Sequence, residues 1–212
     1  MSLKFFNSIN IPIPQNQIYK RLGYCKGITK ISKKQKQIIE SYKSEAILLL
    51  KLQGVALRLP IIRRIDDIVV LSDKISFKSR LLSNLVKNCS EILFMGVTAG
   101  KKIVEAIYKY EKTDLVRSAV YDAVASEYTD ACFDWICNYY KQELLRENKT
   151  LLSKRISCGF SDFSIQYQRV IFEILQLERI KISLTDTYML VPEKSATAVT
   201  GIIKMQTVKR KN

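Results

Sequence analysis

The chain has 212 residues and a mass of 24.5 kDa, with 47% hydrophobic and 26% charged side chains, which is enough to bury a full core. Its formal charge of +15 describes first a lysine-rich surface and second an attraction for acidic protein partners; nucleic acid is disfavoured, because no compact arginine cluster with interleaved aromatic residues stands out. Histidine is absent and the five cysteines form no Cys-x-x-Cys pair, so hydrolase and zinc-enzyme readings start from a deficit and the thiols are expected to be free.

At the start of the chain, Lys4 is followed by no sustained apolar core and no small-residue cleavage pattern before Pro12 and Pro14, which speaks against a signal peptide. The two prolines hold this segment extended, and 15–22 reads as a short helix stopped by Gly23. Ser32 with Gln35 has the spacing of a capping box, predicting a helix to about Lys51 with an apolar stripe of Ile38, Ile39, Tyr42, Ala46 and Leu49. The apolar run from Ala46 to Leu50 meets Lys51 and Gln53 at once, so no membrane span is expected and the protein is read as cytoplasmic.

Alternation at Val55, Leu57 and Leu59 predicts a strand over 54–64, and a hairpin is expected where 68–71 and 74–77 flank Ser72-Asp73. A short helix follows at 80–87. The apolar run 91–98 reads as a buried strand, turned by Ala99-Gly100 into a helix carrying Ile103, Val104, Ile107 and Tyr108. That order superficially resembles a phosphate loop but lacks its repeated glycines and terminal Gly-Lys-Ser/Thr. From 113 to 147 runs one long helical pattern, with the acids Asp122, Glu127, Asp130 and Asp134 spread over its surface and solvated by default. Ser164 is the expected cap of a helix over 165–176, while 180–184 and 196–205 are strand-like on either side of a segment containing Pro192. The sum is a mixed fold of largely antiparallel strands around one long central helix.

Two segments look built to hold a ligand: Arg155-Ile156-Ser157-Cys158-Gly159-Phe160 and, downstream, Leu184-Thr185-Asp186-Thr187-Tyr188-Met189 with Pro192-Glu193-Lys194-Ser195. An arginine grips a carboxylate through a two-pronged fork, and a glycine lets the backbone approach closely. Taken singly, Arg155 also reads as a surface ion-pair residue, Gly159 as an ordinary turn glycine, and Tyr188 and Met189 as the core of a strand.

In order along nearly the whole chain, these pieces resemble the reactivation domain of cobalamin-dependent methionine synthase, the module that binds S-adenosylmethionine. Arg21-Leu22-Gly23-Tyr24, 95–100 and the helix from Asp122 to Trp135 add to the similarity, which is strongest to short stand-alone versions of the module. The resemblance implies an α+β fold over 1–212: a C-shaped single domain with a twisted, largely antiparallel sheet and a long central helix. It implies that Arg155 pairs with the methionyl carboxylate, that backbone approaches the ligand at Gly159, and that Asp130, with Glu127 as rival, takes the ammonium group. Tyr188 joins the same set. Phe160 stands where the family usually has tyrosine, so ring packing persists while a hydroxyl bond is lost.

The implied partners are a cobalamin-binding methionine synthase or related corrinoid protein, which supplies the cobalamin, and a flavodoxin-like electron donor. The implied role is reductive methylation of cob(II)alamin held on that separate chain. The alternative is a non-catalytic docking or structural subunit of a corrinoid methyltransferase that has lost ligand binding.

Overall fold

A computed structural model describes residues 3–205. Strand β1 (Lys4–Phe6) opens the chain, and helix α1 (Gln15–Arg21) follows and ends before Gly23, as its sequence predicts. The capping box forms at the start of α2 (Lys33–Leu49): the Gln35 N–H donates to the Ser32 hydroxyl at 3.2 Å, and the Ser32 N–H donates to the Gln35 side chain at 2.8 Å. Ile39, Tyr42, Ala46 and Leu49 pack inward, but Ile38 is 36% exposed and leaves the predicted stripe.

The expected strand over 54–64 is two strands. β2 (Gln53–Pro60) stays in the main sheet; β3 (Arg63–Ile65) pairs instead with β4 (Ile68–Ser72), which forms the expected hairpin with β5 (Ile75–Lys78). Pro60 ends β2, because proline offers no N–H to continue a ladder. Helix α3 (Arg80–Leu85) leads to β6 (Glu91–Thr98), and Gly100 turns β6 into α4 (Lys101–Glu111). Tyr108 is 45% exposed and points away from the core it was expected to join.

Helix α5 (Leu115–Leu145) has 31 residues, about 46 Å at 1.5 Å per residue. The Asp114 carboxylate caps it by accepting the Arg117 N–H at 3.0 Å. The remaining elements are β7 (Lys149–Leu151), α6 (Tyr167–Leu175), a 3-10 turn at Leu177–Ile180, β8 (Ser183–Leu184), β9 (Leu190–Val191) and β10 (Ser195–Lys204). Ser164 does not cap α6, which starts after Gln166; its hydroxyl accepts the Gln166 N–H within the preceding turn. Of the strand expected at 180–184, only Ser183 and Leu184 pair, because Ile180 belongs to the 3-10 turn.

Five strands form the main sheet in the order β1-β2-β6-β10-β7, each pair antiparallel. The sheet is curled and C-shaped, with α5 as the long central helix of an α+β fold. Alternation along the strands divides the core in two. Leu93, Met95, Ala198 and Ile202 pack against Cys132, Phe133 and Ile136 of α5, while Phe94 and Val199 face Ile171 and Leu175 of α6 and the small β3-β4-β5 sheet. A Cβ on Gly96 would collide with Leu177, so this glycine lets the 3-10 turn lie close on the sheet. The N-terminal half of α5, with Val120, Ala123 and Val124, forms a third cluster with α1, α2 and α4.

Candidate functional site

The chain from Lys149 to Ser157 runs beside β10 and places both ends of the arginine segment. Beyond the three β7 pairs, the Leu152 N–H donates to the Gly201 carbonyl at 2.9 Å, the Thr200 hydroxyl donates to the Lys154 carbonyl at 2.8 Å, and Ile156 and Val199 exchange both backbone bonds. The Ser157 hydroxyl then donates to the Thr197 carbonyl at 2.7 Å. Arg155 is thus fixed at a sheet edge.

After Cys158 the chain turns sharply. Gly159 adopts φ +89°, and its N–H donates to the Phe163 carbonyl at 2.7 Å. The turn is tied down from outside by Asp162, whose carboxylate accepts from the Ser79 hydroxyl at 2.9 Å and from the backbone of Arg80 and Leu81 at 2.6 and 3.1 Å. These bonds at the start of α3 hold the Asp162 carboxyl below the usual carboxylate range, the Leu81 N–H first among them.

Between this turn, the 185–195 segment and the start of β10 lies a groove of about 710 Å³, lined by Cys158, Phe160, Gln168, Tyr188 and Lys194 among others. The volume is within the range of small-molecule sites. Phe160 is 65% exposed, while Tyr188, at φ +64°, carries the Arg169 guanidinium 5.6 Å from its ring centre. Lys194 is anchored to α5 through Asp122 at 2.6 Å and Ser126 at 3.0 Å. Cys158 offers no nucleophile, because burial pushes its thiol up to about 12.

The charged candidates assemble beside the arginine segment. Arg155 donates to Asp134 at 2.5 Å, with its guanidinium carbon 5.4 Å from the Phe133 ring centre. Glu127 is engaged by Arg21 at 2.5 Å, and the same guanidinium reaches Asp130 at 3.8 Å. Partial desolvation pushes the Asp130 carboxyl up, against the pull of Arg155 and Arg21 and with some help from Glu127 and Asp134. Its side chain is still 59% accessible, so the shift reflects crowding around the carboxyl and not full burial. Phe160 and Tyr188 therefore share the groove, Gly159 lies between the lining residues Cys158 and Phe160 without itself lining it, and the other three candidates lie outside the lining: Arg155 pairs with Asp134, and Glu127 and Asp130 with Arg21.

Among the described residues no group of histidine, cysteine, aspartate or glutamate side chains is arranged to hold a metal, and no helix is long and apolar enough to cross a membrane. No protein-family model matches the chain, and no curated protein does. Among solved structures, the MetH reactivation domain bound to AdoHcy superposes with a TM-score of 0.67 over 95% of this chain and 78% of its own length, at 13% identity. The two share a fold. At that identity the likeness concerns backbone architecture, the curled sheet and long helix in particular.

Sequence reasoning named Asp134 only as one of four surface acids, without its pairing to Arg155, and did not single out Gln168 or the anchoring role of Asp162. Gln168 carried a readable signal: it sits three and seven residues before Ile171 and Leu175, on the buried face of α6 where an apolar side chain is the rule. Asp162 and Asp134 carried none, because their partners lie on elements distant in sequence.

Proposed function

We propose that this chain binds S-adenosylmethionine in the groove beside the Arg155–Phe160 segment and presents it to a cobalamin carried by a separate methionine-synthase-like corrinoid protein, with a flavodoxin-like donor supplying electrons. The supporting observation is the groove itself: of suitable volume, lined by two aromatic residues and by Ser157 and Cys158 of the segment that carries Arg155, on the fold of a domain solved with AdoHcy. The ligand supplies an activated methyl group; the protein's share is binding and orientation.

In this reading Arg155 exchanges part of its contact with Asp134 for the ligand carboxylate, a natural role for a guanidinium with five donors. Asp130 receives the ammonium group in preference to Glu127, which is only 13% exposed and already paired with Arg21. Phe160 and Tyr188 cover the faces of the purine. Gln168, another lining residue, also fits, since among the described residues its buried amide has an unpaired donor.

The docking-subunit alternative draws on one observation: the guanidinium that should hold the ligand is already engaged by Asp134. Titration calorimetry with S-adenosylmethionine decides between the two. A dissociation constant below the millimolar range supports ligand binding, while no heat at several millimolar leaves the docking role. Reactivation is then followed as loss of cob(II)alamin absorbance when the chain, a cobalamin-loaded partner and a low-potential one-electron donor are combined. Unchanged absorbance despite ligand binding and complex formation sinks that role.

A further inference from the structure

Helix α6 buries one face through Gln168, Ile171 and Leu175, and the first of these is an amide. Gln168 is 5% exposed. Its Oε1 accepts the Thr197 hydroxyl at 2.9 Å, and Thr197 is itself only 3% exposed, so this end of the amide is fixed. The other end is not matched: among the described residues Nε2 has no hydrogen-bond partner and almost no contact with solvent. A buried donor without an acceptor opposes folding.

Its surroundings give the unpaired donor a use. Gln168 lines the groove together with Phe160 and Tyr188. The neighbouring polar side chains are paired within the protein: the Ser157 hydroxyl with the Thr197 carbonyl, the Ser195 hydroxyl with Thr98 at 2.8 Å, Thr185 with Thr187 at 3.0 Å, and Lys194 with Asp122. Gln168 alone of the lining residues has, among the described residues, a buried side-chain atom without a partner. A ligand that offers two flat faces to aromatic rings and a hydrogen-bond acceptor on its rim would meet both demands at once, and a purine has that character.

We infer that Gln168 is a specificity-determining residue of the groove, donating through Nε2 to a ring nitrogen of the purine. The assignment rests on the proposal that the groove binds an adenosyl ligand. It adds selectivity to that proposal: bases lacking the acceptor are disfavoured because the buried amide stays unpaired, whereas the carboxylate and ammonium contacts are common to any amino-acid end.

The test is a chemical double-mutant cycle by calorimetry, using the full chain and its Gln168→Met variant with S-adenosylhomocysteine, its 1-deaza, 3-deaza and 7-deaza analogues, and S-inosylhomocysteine. The wild-type protein should bind one deaza analogue about tenfold more weakly than the parent, the scale of one buried hydrogen bond. Q168M should bind the parent about tenfold more weakly and no longer distinguish it from that analogue. Q168M should melt close to the wild type, since removal of an unpaired donor is offset by loss of the acceptor that the buried Thr197 hydroxyl uses.

Parent binding unchanged in a folded Q168M overturns the inference while leaving the adenosyl reading intact. So does discrimination that survives in the variant, or a Gln168-dependent loss confined to the inosyl compound, which would mean that the amide accepts from the base. If Q168M does not fold, the wild-type panel decides: a loss for one deaza analogue supports the assignment, and equal affinity for all three overturns it. Failure of the wild-type protein to bind any adenosyl compound at millimolar concentration removes the adenosyl reading and this inference with it.

Discussion

Replacing Gly159 by alanine separates two explanations of the glycine in the arginine segment. A Cβ built there meets only the Ile165 Cδ1 atom at 3.5 Å, an ordinary van der Waals distance, so the substitution creates no clash. The obstacle is φ +89°, a conformation that costs an L-residue with a side chain about 1–2 kcal/mol. For a protein of this size that corresponds to a fall in melting temperature of about 2–8 °C. The turn bond from Gly159 to Phe163 and the Asp162 anchor hold the backbone in place, so the strain has no easy local escape. Asparagine tolerates positive φ better than alanine, and Gly159→Asn should therefore lie between alanine and the wild type. Differential scanning calorimetry on the three proteins, with ligand titration on each, supplies the test. A wild-type melting temperature for G159A would refute the conformational account. Normal stability with lost binding would show instead that the position matters through close approach to the ligand.

Three further outcomes follow from the same geometry. Arg155→Ala should weaken binding of S-adenosylmethionine and S-adenosylhomocysteine alike by about 2–4 kcal/mol while changing stability by less than about 1 kcal/mol, since its Asp134 partner is largely exposed; equal affinities in calorimetry would remove Arg155 from the site. Asp130→Asn should weaken binding more than Glu127→Gln. Because the Asp130 carboxyl sits above its ordinary range, its ammonium contact should be lost on acidification earlier than that of a normal aspartate, and a damaging E127Q with a silent D130N would transfer the role to Glu127. Asp162 has a depressed value in the folded protein, so its contribution to stability is fully present above the unfolded pKa of about 3.9 and is lost as pH falls through the folded value. Urea unfolding of the wild type and Asp162→Asn across that window should show curves that converge in acid; a constant gap would refute the anchoring role.

The elements read correctly from sequence are those whose signal is local. The Ser32–Gln35 box starts α2, the apolar run 91–98 is β6, and the long helical pattern is α5 with two residues trimmed at each end. What sequence hid depends on distant partners. β7 is three residues long and exists because β10 offers it an edge, and β8 and β9 pair over two residues each, too short for any periodicity to register. Ile38 and Tyr108 have the right chemistry for a core and the wrong position around their helices, which only packing reveals. The same division runs through the candidate site. Arg155, Gly159 and Phe160 stand out within a single segment, whereas the engagement of Arg155 by Asp134, of Glu127 by Arg21 and of Asp162 by α3 joins residues that no local pattern connects.

Helix α5 carries both Asp122, which anchors the groove residue Lys194, and Asp134, which holds Arg155. Twelve positions separate the two acids, about 18 Å along one axis. A continuous helix is stiff over such a distance, so the two anchors cannot drift apart or together independently. In the proposed site this rod is a caliper: it fixes the spacing of Lys194 and Arg155, and a ligand reaching both would be measured for length as well as chemistry. An insertion of one residue between Ser126 and Asp130 would turn the distal acids by about 100° around the axis while lengthening the rod by only 1.5 Å. Either end would keep its own residues, yet the two would no longer be placed for the proposed ligand.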